Sequence, residues 1–153
     1  MRVLVQRVAW AEVEVEGSIV GRIEQGLLVY TAAGVGDSAG DAEWLAEKVA
    51  HLRIFQDEEG KLNRSVQDAG GGVLAISNFT LLADARKGRR PAFIAAAPAE
   101  QARPVHEAFL DALRRQGVPV ATGVFGASMA VRSQAAGPVN LVLDSPPAPG
   151  REG

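Results

Sequence analysis

Gly26-Leu27-Leu28-Val29-Tyr30-Thr31-Ala32 is apolar almost throughout. Such a stretch reads as a central strand covered on both faces. Upstream, Ala11, Val13 and Val15 alternate with Glu12, Glu14 and Glu16, the pattern of a half-buried strand with one wet face. Val3 and Val5 alternate with Leu4 and Gln6 in the same way. Glu16-Gly17-Ser18 is a turn, and Ile19 to Ile23 returns from it. Downstream, Gly34 to Gly40 is a loop, and Ser38 or Asp41 can cap a helix over 41–52 with a Leu45, Val49, Leu52 stripe. Leu52 to Phe55 reads as a strand continuing from it. Asp57 to Gly60 is a turn, Gly70-Gly71-Gly72 a flexible joint, and Val73 to Ile76 another apolar strand.

Pro98 can open a second helix running to about Gln116, with Ala102, Val105, Phe109 and Ala112 or Leu113 on one face. Arg114 and Arg115 suit its C-terminal dipole, Gly117 ends it, and Pro119 prevents resumption. Val118 to Phe125, Met129 to Arg132 and Val139 to Leu143 read as short strands. Many strands and two main helices predict an α+β fold with a curled, barrel-like, mixed or antiparallel sheet. Residues 1–144 are expected to form one domain. Residues 145–153, with three prolines and two glycines, are expected to be a disordered tail.

The chain has 153 residues, 47% of them hydrophobic, enough for one domain with a sizeable core. Sixteen basic and eighteen acidic residues leave a net charge of −2, which excludes a globally basic nucleic-acid binder but not a local patch. Cysteine is absent, so disulfides, thiolate nucleophiles and Cys-ligated zinc are excluded together. Only His51 and His106 remain as imidazoles, so a multi-histidine metal site is not expected. The opening apolar run is broken by Gln6 and Arg7, and no stretch approaches the roughly 18 residues of a membrane span. The expected location is therefore the cytoplasm.

Several short segments can carry chemistry, and each has a plain structural reading beside it. Gly34-x-Gly36-x-x-x-Gly40 sits between a strand and a helix like a dinucleotide loop, but its spacing is one residue long and Asp37 would face the phosphates. His51 and His106 read as solvated or half-buried helix residues. Arg86-Lys87-Gly88-Arg89-Arg90 puts four cations in five residues, either a solvated loop or a phosphate-binding patch. Ser77-Asn78-Phe79-Thr80-Leu81 follows a buried strand, where it forms either a turn or an oxyanion nest of backbone N–H groups. Gly137-Pro138 precedes a strand in the manner of an ordinary turn.

Taken in order, Val5-Gln6-Arg7-Val8, Arg53-Ile54-Phe55, Lys61-Leu62-Asn63, Ser77-Asn78-Phe79-Thr80-Leu81, Arg90-Pro91-Ala92-Phe93, Thr122-Gly123-x-Phe125-Gly126 and Gly137-Pro138-Val139 resemble the D-aminoacyl-tRNA deacylases. The resemblance spans residues 1–144. Two positions depart from it: Asn78 stands where the family usually has Gln, and Asn140 where it usually has Thr.

The resemblance implies hydrolysis of the ester joining a D-amino acid, or glycine on tRNA(Ala), to the tRNA 3′ acceptor end. It implies a homodimer with the site at the subunit interface and no cofactor. Gly137 and Pro138 would form a cis wall that reaches the partner's site and rejects L side chains, with Arg7 supporting it and Val139 and Asn140 beside it. Ser77, Asn78, Phe79 and Thr80 would form the catalytic turn. Thr80 would position rather than attack, because its motif offers no base before Asp84, and the N–H groups around Asn78 and Phe79 would face the oxyanion. Phe125 and Met129 would line the adenosine or amino-acid pocket, or belong to the core. Arg86, Lys87, Arg89 and Arg90 would meet tRNA phosphates. Three other readings compete: an L-aminoacyl editing hydrolase with a trans Gly-Pro, a non-catalytic tRNA-end-binding module, and a nucleotide binder using Gly34 to Gly40.

Overall fold

A computed structural model describes residues 1–147. In chain order the elements are β1 (Arg2–Val15), β2 (Ser18–Ile23), β3 (Gly26–Ala32), α1 (Ala39–His51), β4 (Phe55–Gln56), β5 (Leu62–Arg64), β6 (Gly72–Ser77), α2 (Ala99–Arg115), β7 (Val120–Thr122) and β8 (Ala130–Asp144). The apolar Gly26–Ala32 stretch is indeed a central strand, antiparallel to β1 on one side and parallel to β6 on the other. Parallel neighbours need long crossovers. Here α1 lies between β3 and β6, and α2 between β6 and the parallel β7. Gly26 and Gly72 are opposite each other, and a Cβ on Gly26 would run into the Gly72 carbonyl, so that pair requires glycine.

The sheet is mixed and curls almost into a barrel. β1 is its spine. Its first half pairs with β3, its second half with β2, and its other edge with β8. The curl brings Gly21 of β2 against the Thr122 carbonyl of β7. One apolar cluster joins α1 and α2 to the sheet through Leu45, Val49, Phe109 and Leu113, all without solvent contact. A second, with Val8, Val13, Leu28 and Leu74, fills the inside of the curl. Each fully buried Leu or Phe contributes roughly 1.5–3 kcal/mol.

Both helices and the capping by Ser38 and Asp41 follow the sequence reading. The Asp41 carboxylate accepts the Ser38 N–H at 2.8 Å and its hydroxyl at 2.9 Å. Three expectations change. Val3–Gln6 and Ala11–Val15 are one continuous strand, because β8 pairs along both segments. Met129–Arg132 and Val139–Leu143 likewise fuse into β8, so Gly137-Pro138 lies inside a strand rather than in a turn before one. Register shifts between Gln6 and Trp10 absorb the misfit there. Leu52–Ile54 is not a strand, since the pairing with β5 starts at Phe55. Ser145 is tied to Met1 by a backbone bond of 2.9 Å, and the part of the expected tail from residue 148 lies outside the described residues.

Candidate active site

A cleft of about 680 Å³ opens at the C-terminal ends of β3 and β6. Thr31 and Ser77 are register partners there, and both line it. Immediately after Ser77 the chain leaves the sheet. The Asn78 N–H donates to the Thr31 carbonyl at 2.7 Å, which holds the next residues against the strand end. Asn78 then caps a single 3-10 turn over Phe79–Leu82, its side-chain oxygen accepting the Thr80 N–H at 3.2 Å and the Thr80 hydroxyl.

These bonds sort the expected catalytic turn. Ser77, Asn78 and Phe79 line the cleft, whereas Thr80 does not and spends its hydroxyl on Asn78. Of the two candidate oxyanion donors, the Asn78 N–H is already taken by Thr31. The Phe79 N–H, first in the 3-10 turn, has no partner among the described residues. The shorter amide of Asn78 is therefore a turn cap here. Phe79 is about half exposed and meets Phe93 edge-on, with ring centroids 5.1 Å apart.

Phe125 and Met129 also line the cleft, and each packs against an apolar cluster as well, so the pocket and core readings for them meet in the same residues. Gly123 leaves room for the Met129 sulfur, which would sit 2.5 Å from a Cβ at that position. Helix α2 flanks Phe125 with two residues. The Arg103 guanidinium lies 4.6 Å from the ring centroid, and the His106 ring 5.9 Å from it.

His106 is the residue the sequence reading misjudged. It is 6% exposed and its Nδ1 lies 2.7 Å from the Thr31 hydroxyl. Burial lowers its pKa from 6.5 to about 4, so the ring is neutral near pH 7. The signal was present: 102, 106, 109 and 113 trace the buried face at helical spacing as well as 105 does. The solvated or half-buried reading gives way to a buried one, and a hydroxyl on β3 supplies the ring's partner.

Gly137, Pro138, Val139, Asn140 and Arg7 do not join this cleft. The Gly137-Pro138 peptide is cis and both residues are exposed. Arg7 donates from Nε to the Ala136 carbonyl at 3.0 Å and from its terminal nitrogen to the Ile54 carbonyl at 2.8 Å. It thus ties β8, one residue before Gly137, to the segment between α1 and β4. Val139 packs against the core, and the exposed Asn140 sits opposite Gln6. Along the β1–β3 pairing, Arg7 is opposite Leu27 while Thr31 is opposite Val3. Four residues at about 3.3 Å each put the two levels about 13 Å apart.

The basic loop is exposed throughout. Arg86 is clamped by Asp84, with its nitrogens at 2.9 and 2.6 Å from the two carboxylate oxygens. Lys87, Arg89 and Arg90 have no ion pair among the described residues. The Gly34–Gly40 loop holds no room for a phosphate. The Asp37 carboxylate accepts the Gly34 N–H at 2.5 Å and pairs with the Met1 ammonium at 2.6 Å, so the loop already encloses an anion. His51 bonds Gln116 on the surface.

A family model described as D-Tyr-tRNA(Tyr) deacylase matches residues 4–144. A D-aminoacyl-tRNA deacylase of Thermomicrobium roseum is 57% identical over 145 residues, spanning 95% of this chain and 94% of that one. One of Thermus aquaticus is 53% identical over 150 residues, spanning 98% and 99%. Among solved structures, a c-Myc DNA Unwinding Element Binding Protein superposes with a TM-score of 0.89 at 38% identity, covering 96% of this chain and 100% of that one. A probable eukaryotic D-amino acid tRNA deacylase shares the fold at a TM-score of 0.80 and 19% identity, covering 94% and 98%. The fold, the cleft and these matches define the class as ester hydrolases acting on aminoacyl-tRNA. The chain belongs to the D-aminoacyl-tRNA deacylase family.

Proposed function

We propose that the cleft binds the aminoacylated 3′ end of tRNA and that water, not a side chain, attacks the ester. The observation that carries this is the Asn78 turn: Phe79 lines the cleft with an N–H that has no partner among the described residues, while the Thr80 hydroxyl is committed to the Asn78 side chain. Water adds to the ester carbonyl, the Phe79 N–H stabilises the oxyanion, and the ribose oxygen leaves with a proton as the free D-amino acid departs. One such donor is worth about 10²–10³ in rate. The substrate's own vicinal hydroxyl orients the water, since Asp84 is held by Arg86 and the His106 Nδ1 by Thr31.

Chirality is assigned to Gly137 and Pro138 of a second copy. In one chain they stand at the wrong level of the sheet, so a homodimer must bring them over the partner's cleft. The mostly exposed face of β8, with Val142 60% exposed, supports that contact. Backbone atoms held by Arg7 cannot swing aside for an L side chain, so rejection is steric. Glycine has no side chain to reject, so glycyl-tRNA(Ala) is a substrate in this reading. Lys87, Arg89 and Arg90, with Arg86 oriented by Asp84, meet phosphates near the tRNA acceptor end, and the reaction runs in the cytoplasm. The test is deacylation of D-Tyr-tRNA and L-Tyr-tRNA side by side with chelator present. Release of D-Tyr alone is expected. Release of both sinks the wall, and release of neither sinks the enzyme reading.

A further inference from the structure

His106 is more than 90% buried, yet only one of its ring nitrogens is satisfied. Nδ1 meets the Thr31 hydroxyl at 2.7 Å, and Nε2 has no hydrogen bond among the described residues. Among the described residues no fully buried side-chain nitrogen or oxygen lacks a partner, so Nε2 is open to the cleft that His106 lines. When a substrate expels water from that floor, an unpaired Nε2 would cost a full desolvation penalty. The substrate must therefore supply a polar group at this point.

Position selects the group. Thr31 links the two halves of the floor: its hydroxyl holds His106 and its carbonyl holds the Asn78 N–H beside the reacting ester. On its other flank His106 touches Phe125 on the aromatic wall. With the terminal adenine placed on Phe125, one of the two pocket roles the resemblance gives that ring, a polar atom at Nε2 lies between the ester and the base, where an aminoacylated nucleoside carries its ribose. A hydroxyl can both donate and accept, so it fits whichever tautomer Thr31 selects. Resting on the deacylase reading above, we infer that His106 is a substrate-binding residue whose Nε2 hydrogen-bonds the ribose hydroxyl vicinal to the ester, with Thr31 setting the ring's orientation.

The test compares two non-hydrolysable probes, 3′-deoxy-3′-(D-alanylamino)adenosine and its 2′-deoxy form, on the full chain. Wild type is expected to bind the ribo probe about three- to tenfold more tightly, the worth of one hydrogen bond. The double variant Thr31→Val, His106→Phe removes both polar partners at similar volume, so it should keep its Tm and bind the two probes equally. A merely structural role would not move that ratio. In wild type, the His106 ring nitrogen signals should shift with the ribo probe and not with the 2′-deoxy probe, a readout that needs no variant. Equal binding of the two probes by wild type, or an unchanged ratio in the variant, overturns the assignment while leaving the deacylase reading intact. Failure of wild type to bind either probe, or to release D-Tyr, overturns both.

Discussion

Thr80→Val removes a hydroxyl whose bond goes to the Asn78 side-chain oxygen, which also accepts the Thr80 N–H at 3.2 Å. The cap therefore loses one of its two bonds and keeps the other. A neutral hydrogen bond is worth about 0.5–1.5 kcal/mol net. If all of it were felt at the transition state, the rate would fall about 2- to 12-fold, at tenfold per 1.4 kcal/mol. Thr80→Ser keeps the bond and should lie within twofold of wild type, a factor of about 0.4 kcal/mol. A true nucleophile behaves differently: deleting one can cost about 10⁶ in kcat. The assay is single-turnover release of D-Tyr from D-Tyr-tRNA, with thermal melting of each variant alongside. A loss of 10³ or more in Thr80→Val with an unchanged Tm, or a trapped ester on Thr80, would refute the water mechanism and make the turn a nucleophile elbow.

Three further outcomes follow from the same geometry. The folded pKa of His106, about 4, lies below its ordinary 6.5. The unfolded chain therefore binds the extra proton first, and this group's share of stability, about 3 kcal/mol, is present above pH 6.5 and lost as pH falls towards 4. Urea denaturation across that range should show the slope in wild type and a flatter one in His106→Gln. Arg7→Met gives up two charge-assisted bonds to the Ala136 and Ile54 carbonyls. It should lose about 2–3 kcal/mol in urea and lower the ratio of D- to L-Tyr-tRNA hydrolysis, and a loss under about 0.5 kcal/mol would deny Arg7 its supporting role. Replacing Lys87, Arg89 and Arg90 with alanine should raise KM for tRNA and flatten its dependence on salt, by about 0.7 in log–log slope for each phosphate no longer neutralised. An unchanged slope would return that loop to plain solvent.

Periodicity carried most of the fold because each element has one dominant environment. Gly26–Ala32 is buried on both faces and says so in every residue. Ala11–Val15 is buried on one face and alternates. Strand length was not legible, because continuity of β1 and β8 is decided by each strand's partner and not by its own residues. The Arg7–Ala9 and Gly137–Pro138 segments look like interruptions in one dimension. Side by side they are matched irregularities that keep a 14-residue and a 15-residue strand paired. The helical spacing of His106 was legible, but its polar partner was not, for a related reason. Its ring nitrogen is satisfied by the Thr31 hydroxyl, 75 positions away in the chain.

The same contrast divides the site. Ser77, Asn78 and Phe79 are contiguous, so a single turn after a buried strand announces them, and the fold delivers them to the cleft directly. Gly137 and Pro138 are equally recognisable, but β8 runs antiparallel along β1, which fixes their height on the sheet. That height is the Arg7–Leu27 level, about 13 Å from Thr31 by strand rise. No rotamer or loop adjustment moves a residue in the middle of a paired strand by that much. If the Gly-Pro backbone discriminates at this cleft, as proposed above, a second chain has to bring it there, and concentration becomes a test. On that proposal, dilution to single chains should abolish selective hydrolysis, while the fold of each chain, whose two apolar clusters are formed by its own residues, persists.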